Sequence, residues 1–423
     1  MSTSTLKSIK RWLGKALLVL ASLIIAVALS EAGLWLFGIE YPQFFEYDPV
    51  IGFGLRPGME GHWLQEGSGY VSINSDGMRD REHSLAKPPN TIRIAVLGDS
   101  FAQANEVYQE ETFWAIMEKK LQDCGNLQGQ KVEVLNFGIS GLSTTQELLI
   151  LRQRVWKYSP DIILLCIYTN NDVAENSRAL AIQWNSKDNS PYFSYRNGEL
   201  VLDKRATKEA AVNAQQKISR WEEIKPWLQD NSRVYQLVKH CQRLATGWWL
   251  KIQKREEDAA AYGLSAVDAQ KAIFRQPNTE VWEEAWKITE GVLLKMRDEV
   301  TAKGAKFFVA VLSVDVQVYP DPKVRELYAQ SIEVEDLLYP DRRLERFCQK
   351  EGIPVLLLAP PLREYAEKHN VYLHGFKNSF GFGLNYGYGH WNQNGHRLAG
   401  TMIAKWLCDQ LNHNSPQFSH HNN

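Results

Sequence analysis

Cysteine is scarce in this chain and unpatterned. The five thiols, Cys124, Cys166, Cys241, Cys348 and Cys408, are odd in number and lack metal-ligand spacing. That excludes a disulfide scaffold and leaves room for one bridge among otherwise core thiols. An excess of either charge is lacking too. With 48 basic residues against 49 acidic ones, the net charge is −1, so nucleic acid is not an expected partner. There is no internal repeat and no motif for a metal or a nucleotide; neither a metal nor a cofactor is expected. At 423 residues, 44% of them hydrophobic, the chain exceeds one typical domain and has ample material for a core.

Long apolar runs are rare, with one exception at the N-terminus. Lys7, Lys10, Arg11 and Lys15 precede an uncharged stretch from Ala16 to Ser30, and Ala32 to Phe37 continues it past Glu31. A cleaved signal peptide would find its small residues at Ala28-Leu29-Ser30. A retained anchor needs about 20 mostly apolar residues, which Ala16 to Phe37 supplies, with Trp35 suited to an interfacial belt. The anchor is the preferred reading. Residues 1–37 are therefore expected to be a basic cytoplasmic tail and a membrane helix, with the rest of the chain outside the cytoplasm. If the segment is cleaved, the protein is secreted.

Residues 38–90 are punctuated by Pro and Gly and carry short alternating runs such as Gly69 to Asn74. They read as a strand-rich arm leading away from the membrane; Arg79 and Asp80 there fit a turn-stabilising role better than a site. From 91 to 412 apolar strands alternate with helical stretches: Ile92–Leu97, Val132–Asn136, Asp161–Tyr168, Lys306–Leu312 and Pro354–Leu358 are the expected strands. That alternation predicts an α/β fold, a three-layer α/β/α sandwich around a parallel sheet of about five strands. The pattern breaks at about 173–280. There Pro191 to Leu202 reads as a hairpin turning at Asn197-Gly198, followed by charged helical stretches near 208–220, 232–253 and 281–300. This is expected to be a helical insertion. Residues 413–423 form a polar tail.

Chemistry concentrates in four short blocks. Strand Ile92–Leu97 ends in Gly98-Asp99-Ser100, which delivers a serine to the carboxyl edge of the sheet, where ligands gather in open α/β folds. In the same order follow Asn136-Phe137-Gly138-Ile139-Ser140-Gly141, then Thr169-Asn170-Asn171-Asp172, then Gly389-His390-Trp391-Asn392. With these blocks the chain resembles the SGNH (GDSL-type) hydrolase superfamily, whose flavodoxin-like fold agrees with the strand pattern. The resemblance implies Ser100 as nucleophile and His390 as general base. It implies an oxyanion hole built from the Ser100 N–H, the Gly141 N–H (Gly138 in reserve) and the Asn171 side chain. It covers about Ile92–Asp172 and the block near His390. His396 fits a packing role better than that of base.

One departure outweighs the matches. The family's usual aspartate would stand at Gly387 or Tyr388, and no Asp or Glu occurs from Lys368 to Cys408. Three readings follow: a Ser–His dyad held by a backbone carbonyl, a carboxylate arriving from far along the chain, or a weakened site. The dyad is the preferred one. The expected activity is hydrolysis of acyl esters through an acyl-enzyme, on acylated cell-envelope glycans or small esters. The alternatives are a polysaccharide O-acyltransferase and a non-catalytic glycan-binding or assembly component on a degenerate fold. Trp391 is the candidate wall of an acyl pocket, and Trp248-Trp249-Leu250 with Lys251 and Lys254 a candidate membrane contact. The oligomeric state is left open.

Overall fold

Five apolar runs pair in parallel in the computed structural model. They are β1 (Thr91–Gly98), β2 (Lys131–Asn136), β3 (Ile162–Ile167), β4 (Lys306–Val311) and β5 (Val355–Leu357), in the spatial order β2-β1-β3-β4-β5. Each strand alternates its side chains between two faces. Ile92, Ile94 and Val96 of β1, with Ile162, Leu164 and Cys166 of β3, pack against helices Phe113–Gln122, Ala359–His369 and Gln393–His413. Ala95, Leu97, Ile163, Leu165 and Ile167 pack on the other side, against helices Thr144–Gln153, Glu280–Ala302 and Tyr339–Lys350. Both faces are covered, which is why β1 and β3 read as continuous apolar runs and are buried throughout. The three layers and the five strands agree with the fold expected from the alternation. The order reverses between β1 and β3, the kind of switch point at whose carboxyl edge ligands gather in open α/β folds.

The described residues are 3–127, 129–185, 190–203, 220–242, 245–246, 271–377 and 386–413. The chain groups into two compact units, Met1–Gln43 with Lys217–Gln253, and Phe44–Gln216 with Lys254–Asn423. The expected arm at 38–90 is thus divided: from Phe44 onward it shares a unit with the sheet. The cause is its apolar residues. Ile51, Leu55, Val71, Ile73 and Met78, on and between the short pairs Phe45–Glu46/Gly54–Leu55 and Glu60–His62/Tyr70–Ser72, are buried in the sheet's own core. The insertion is divided as well, since 217–253 groups with the N-terminal helix. Its hairpin, Tyr192–Arg196 with Glu199–Asp203, turns at Asn197 (φ 52°) and Gly198 (φ 84°), the pair of positive dihedrals that an Asn-Gly turn provides. The stretch at 208–219, the Trp248 to Lys254 segment and the tail from 414 lie outside the described residues.

One disulfide, Cys124–Cys408, joins the loop after helix Phe113–Gln122 to the C-terminal helix. In the smaller unit, helix Thr3–Leu36 includes a stretch, Arg11–Leu36, with an 18-residue window of mean hydropathy 2.3, none of it buried, which is long and apolar enough to cross a membrane; a signal sequence would pass the same test. Its lone acid, Glu31, caps another helix of the same unit, 233–242. The carboxylate accepts the backbone N–H groups of Arg233 and Val234 and the Ser232 hydroxyl. Arg233 answers by donating to the Leu34 and Trp35 carbonyls at the end of the apolar helix.

Candidate active site

Where β1 ends, Asp99 turns the chain. Its buried carboxylate accepts the Phe101 N–H at 2.9 Å and starts the short helix Ser100–Gln103. Ser100 is thereby presented half-buried at the switch point. The loop after β2 runs beside it, because Phe137 N–H donates to Val96 O and Ile139 N–H to Gly98 O. Gln103 Oε1 fixes the same loop by accepting the Ser140 N–H at 2.6 Å. Gly141 follows, with φ 76°. Gly138, the reserve choice, gives its N–H to Asn136 Oδ1 at 3.0 Å and packs flat on the helix, where a Cβ would lie 2.4 Å from Ala102 Cβ. After β3, Asn171 Nδ2 donates to Asp99 Oδ2 at 3.1 Å, beside the serine. The structure therefore brings Ser100, Gly141 and Asn171 to one edge of the sheet.

His390 completes the group. Its Nε2 stands 2.9 Å from Ser100 Oγ, closer than the 3.4 Å between that hydroxyl and Asp99 Oδ2. On the far side of the ring Nδ1 lies 2.6 Å from Glu66 Oε2, and the His390 backbone N–H donates to Glu66 Oε1 at 2.9 Å. A carboxylate only accepts, so Nδ1 carries a proton in either state of the ring, and in the neutral ring Nε2 is left to take the serine hydroxyl's hydrogen. The carboxylate missing near His390 thus arrives from 324 residues away. Of the three readings the sequence left open, the preferred dyad is replaced by the distant carboxylate.

Two features let Glu66 reach. The turn Trp63–Gly69 is closed by Trp63 N–H to Gly69 O and tied down by Ser68 N–H to Glu106 O. A Cβ at Gly67 or Gly69 would lie 2.3 Å from the Glu106 or the Asn105 carbonyl oxygen, so only glycine permits that approach. At Gly389, φ is 92° and a Cβ would sit 2.3 Å from Glu66 Oε1. That glycine turn is held from below: Asp315 Oδ2 accepts its N–H at 2.9 Å, and His374 Nδ1 donates to its carbonyl at 2.6 Å. Burial pushes His374 down to about 4, so the ring is neutral, and its Nε2 accepts from Ser313 Oγ at 3.0 Å. Ser313 in turn accepts the Trp391 indole N–H at 2.9 Å.

Trp391 is therefore not the expected pocket wall. Its side chain is wholly buried, edge-on to Phe101 and Phe113, and it offers no surface to an acyl group; it supports the His390 turn from inside the core. His396 is a packing residue, stacked on Phe113 and accepting that residue's N–H at Nδ1, with burial pushing it down to about 3. Arg79 and Asp80 brace loops, as the sequence suggested. Arg79, fully buried, donates to the carbonyls of Gln103, Ala104 and Val107, while Asp80 accepts the Asn136 N–H.

Electrostatically the histidine is the focus. Desolvation opposes its charge, but Glu106 and then Glu66 outweigh it and push His390 up to about 10. Burial opposes ionisation of Glu66 as well, yet the hydrogen bond to His390 and its charge hold that carboxyl below the ordinary value. Glu66, Glu106 and His390 offer one donor atom each within 4.8 Å of one another, a spacing a cation could also use. The 2.6 Å between Nδ1 and Oε2 is that of a charge-assisted hydrogen bond.

No protein-family model matches this chain, and no curated protein does. Among solved structures it is similar to the acetyl xylan esterase AlAXEase (12% identity, TM-score 0.33, covering 75% of this chain and 98% of that one). It is also similar to a GDSL-like lipase from Bacteroides thetaiotaomicron (14%, 0.32, 78% and 92%) and to a lipase/acylhydrolase from Enterococcus faecalis (13%, 0.33, 75% and 96%).

Proposed function

We propose that this protein is a serine ester hydrolase of the SGNH type that works through an acyl-enzyme. Ser100 is the nucleophile and His390 the general base and acid. Glu66 positions the ring, and the N–H groups of Ser100 and Gly141 with the Asn171 amide take the oxyanion. The observation that carries the reading is the continuous hydrogen-bonded line Ser100 Oγ, His390 Nε2, His390 Nδ1, Glu66 Oε2, at 2.9 and 2.6 Å.

His390 Nε2 takes the Ser100 proton as Oγ attacks the ester carbonyl, and Glu66 stabilises the imidazolium that forms. The tetrahedral oxyanion collapses, the alkoxide leaves with the proton from Nε2, and the acyl group remains on Ser100. Water then repeats the sequence: His390 takes its proton, the hydroxide attacks the acyl carbonyl, and the free acid departs as Oγ recovers a proton. The case for a non-catalytic protein came from the missing acid, and Glu66 supplies an acid where one is needed. The basic residues ahead of the apolar helix, together with the Cys124–Cys408 bridge, favour a site outside the reducing cytoplasm. Acylated envelope glycans and small esters fit that place.

The test is hydrolysis of p-nitrophenyl acetate by the full chain in detergent. Ser100→Ala and His390→Ala should each lower kcat/KM by about 10^4 or more. Wild-type activity equal to that of Ser100→Ala, in folded protein, would refute the proposal.

A further inference from the structure

A second carboxyl stands behind His390 that the reaction above does not use. Glu106 Oε1 lies 3.5 Å from His390 Nδ1, with its side chain 4% exposed. Its other oxygen, Oε2, is buried with no hydrogen-bond partner. The placement is built: Arg79 grips the carbonyls of Gln103, Ala104 and Val107 on either side of it, and Ser68 N–H holds the Glu106 carbonyl. So the turn that carries Glu66 and the loop that carries Glu106 are fastened to each other, with both carboxyls aimed at one ring edge.

We propose that Glu106 is a positioning residue acting through His390: a second, buried carboxyl whose negative charge stabilises the protonated ring and so sets the pH at which the histidine becomes a free base. A buried carboxyl whose Oε2 has no partner gains nothing from packing; with its Oε1 3.5 Å from a cationic nitrogen it gains a good deal. The surrounding charges agree. Burial, opposed by His390 and reinforced by Glu66, pushes Glu106 up to about 7, with Arg79 opposing as well. Asp99 also acts on His390, Asp80 and Glu110 act on Arg79, and Asp315 and His374 lie within range of both Glu66 and His390. In this cluster Glu66 orients the ring and Glu106 adjusts its basicity.

The consequence for catalysis rests on the proposed function; the consequence for the ring's titration does not, and two readouts keep them apart. The first is carbethoxylation of His390 by diethyl pyrocarbonate, which attacks only neutral imidazole, followed by peptide mass spectrometry on the full chain across pH. The second is the pH profile of kcat/KM for p-nitrophenyl acetate. In Glu106→Gln the half-point of both should move to lower pH by about 1–2 units, because removing an anion disfavours the protonated ring. Glu106→Asp, which keeps the charge, should move them less, and the alkaline plateau of kcat/KM should stay within about threefold of wild type. Unmoved half-points in Glu106→Gln would make Glu106 a structural filler. A plateau that falls as far as in Glu66→Gln would make Glu106 the ring's principal partner; either result overturns the proposal. Both assays are run with and without EDTA, and a shift that EDTA abolishes would assign these groups to a cation instead. If carbethoxylation shifts as expected while esterase activity is absent, the proposed function fails and the role of Glu106 stands.

Discussion

The site draws on two regions that are built by different means. Ser100, Gly141 and Asn171 are placed by the sheet: each follows a strand end, and backbone hydrogen bonds from β1 and β2 set their spacing. Glu66 and Glu106 are placed by two irregular loops that clasp each other through Ser68 N–H and two side-chain-free positions, with the Glu106 loop gripped by the Arg79 guanidinium. The first kind of placement is rigid because the whole core enforces it. The second depends on a few local contacts, so single substitutions can separate the nucleophile from its acid without touching the sheet.

The largest effect that sharpens this contrast is expected at Glu66. In Glu66→Gln the shape of the loop is kept but the charge opposite Nδ1 is lost, and kcat/KM should fall by about 10^2–10^4 with the thermal transition unchanged. A smaller loss is expected from Gly389→Ala. Its Cβ would enter the space of Glu66 Oε1, at 2.3 Å, and push the carboxylate off the ring, lowering kcat/KM by about 10–100-fold. Glu66→Ala should cost less in that background than in the wild type, since the contact is already weakened; a full additional loss would show that Gly389 and Glu66 act separately. The smallest effect on activity belongs to the sheet's own fastening. Opening the bridge in Cys124→Ser/Cys408→Ser should lower unfolding free energy by about 2–4 kcal/mol, measured by denaturant titration, while kcat/KM stays within about twofold. Activity falling in step with stability would mean that the site is not held by the sheet alone.

The same contrast explains what the sequence made legible. Strands β1 to β5, the Asn197-Gly198 hairpin and the three sheet-borne blocks follow from apolar periodicity and turn chemistry, which are local signals. Glu66 follows from none. It sits in a segment whose short strands resembled an arm, and 324 residues separate it from the ring it meets. The only traces were negative ones, Gly67 and Gly69 flanking a lone serine and Gly387 with Tyr388 where an acid was expected; the first two glycines make sense once the Glu66 and Glu106 loops are seen to touch. Trp391 was misjudged for a related reason. Adjacency to His390 in sequence suggested adjacency to substrate, whereas the isolated bridge between His374 and Trp391 turns the indole into the core.

The central claim is that Glu66 acts through His390, and a double-mutant cycle tests it most directly. kcat/KM for p-nitrophenyl acetate would be measured in wild type, Glu66→Gln, His390→Ala and the double variant. With no imidazole to hold, Glu66→Gln should cost less than about twofold in the His390→Ala background. If it costs as much there as in the wild type, Glu66 does not serve the histidine, and the Ser100–His390–Glu66 account is wrong.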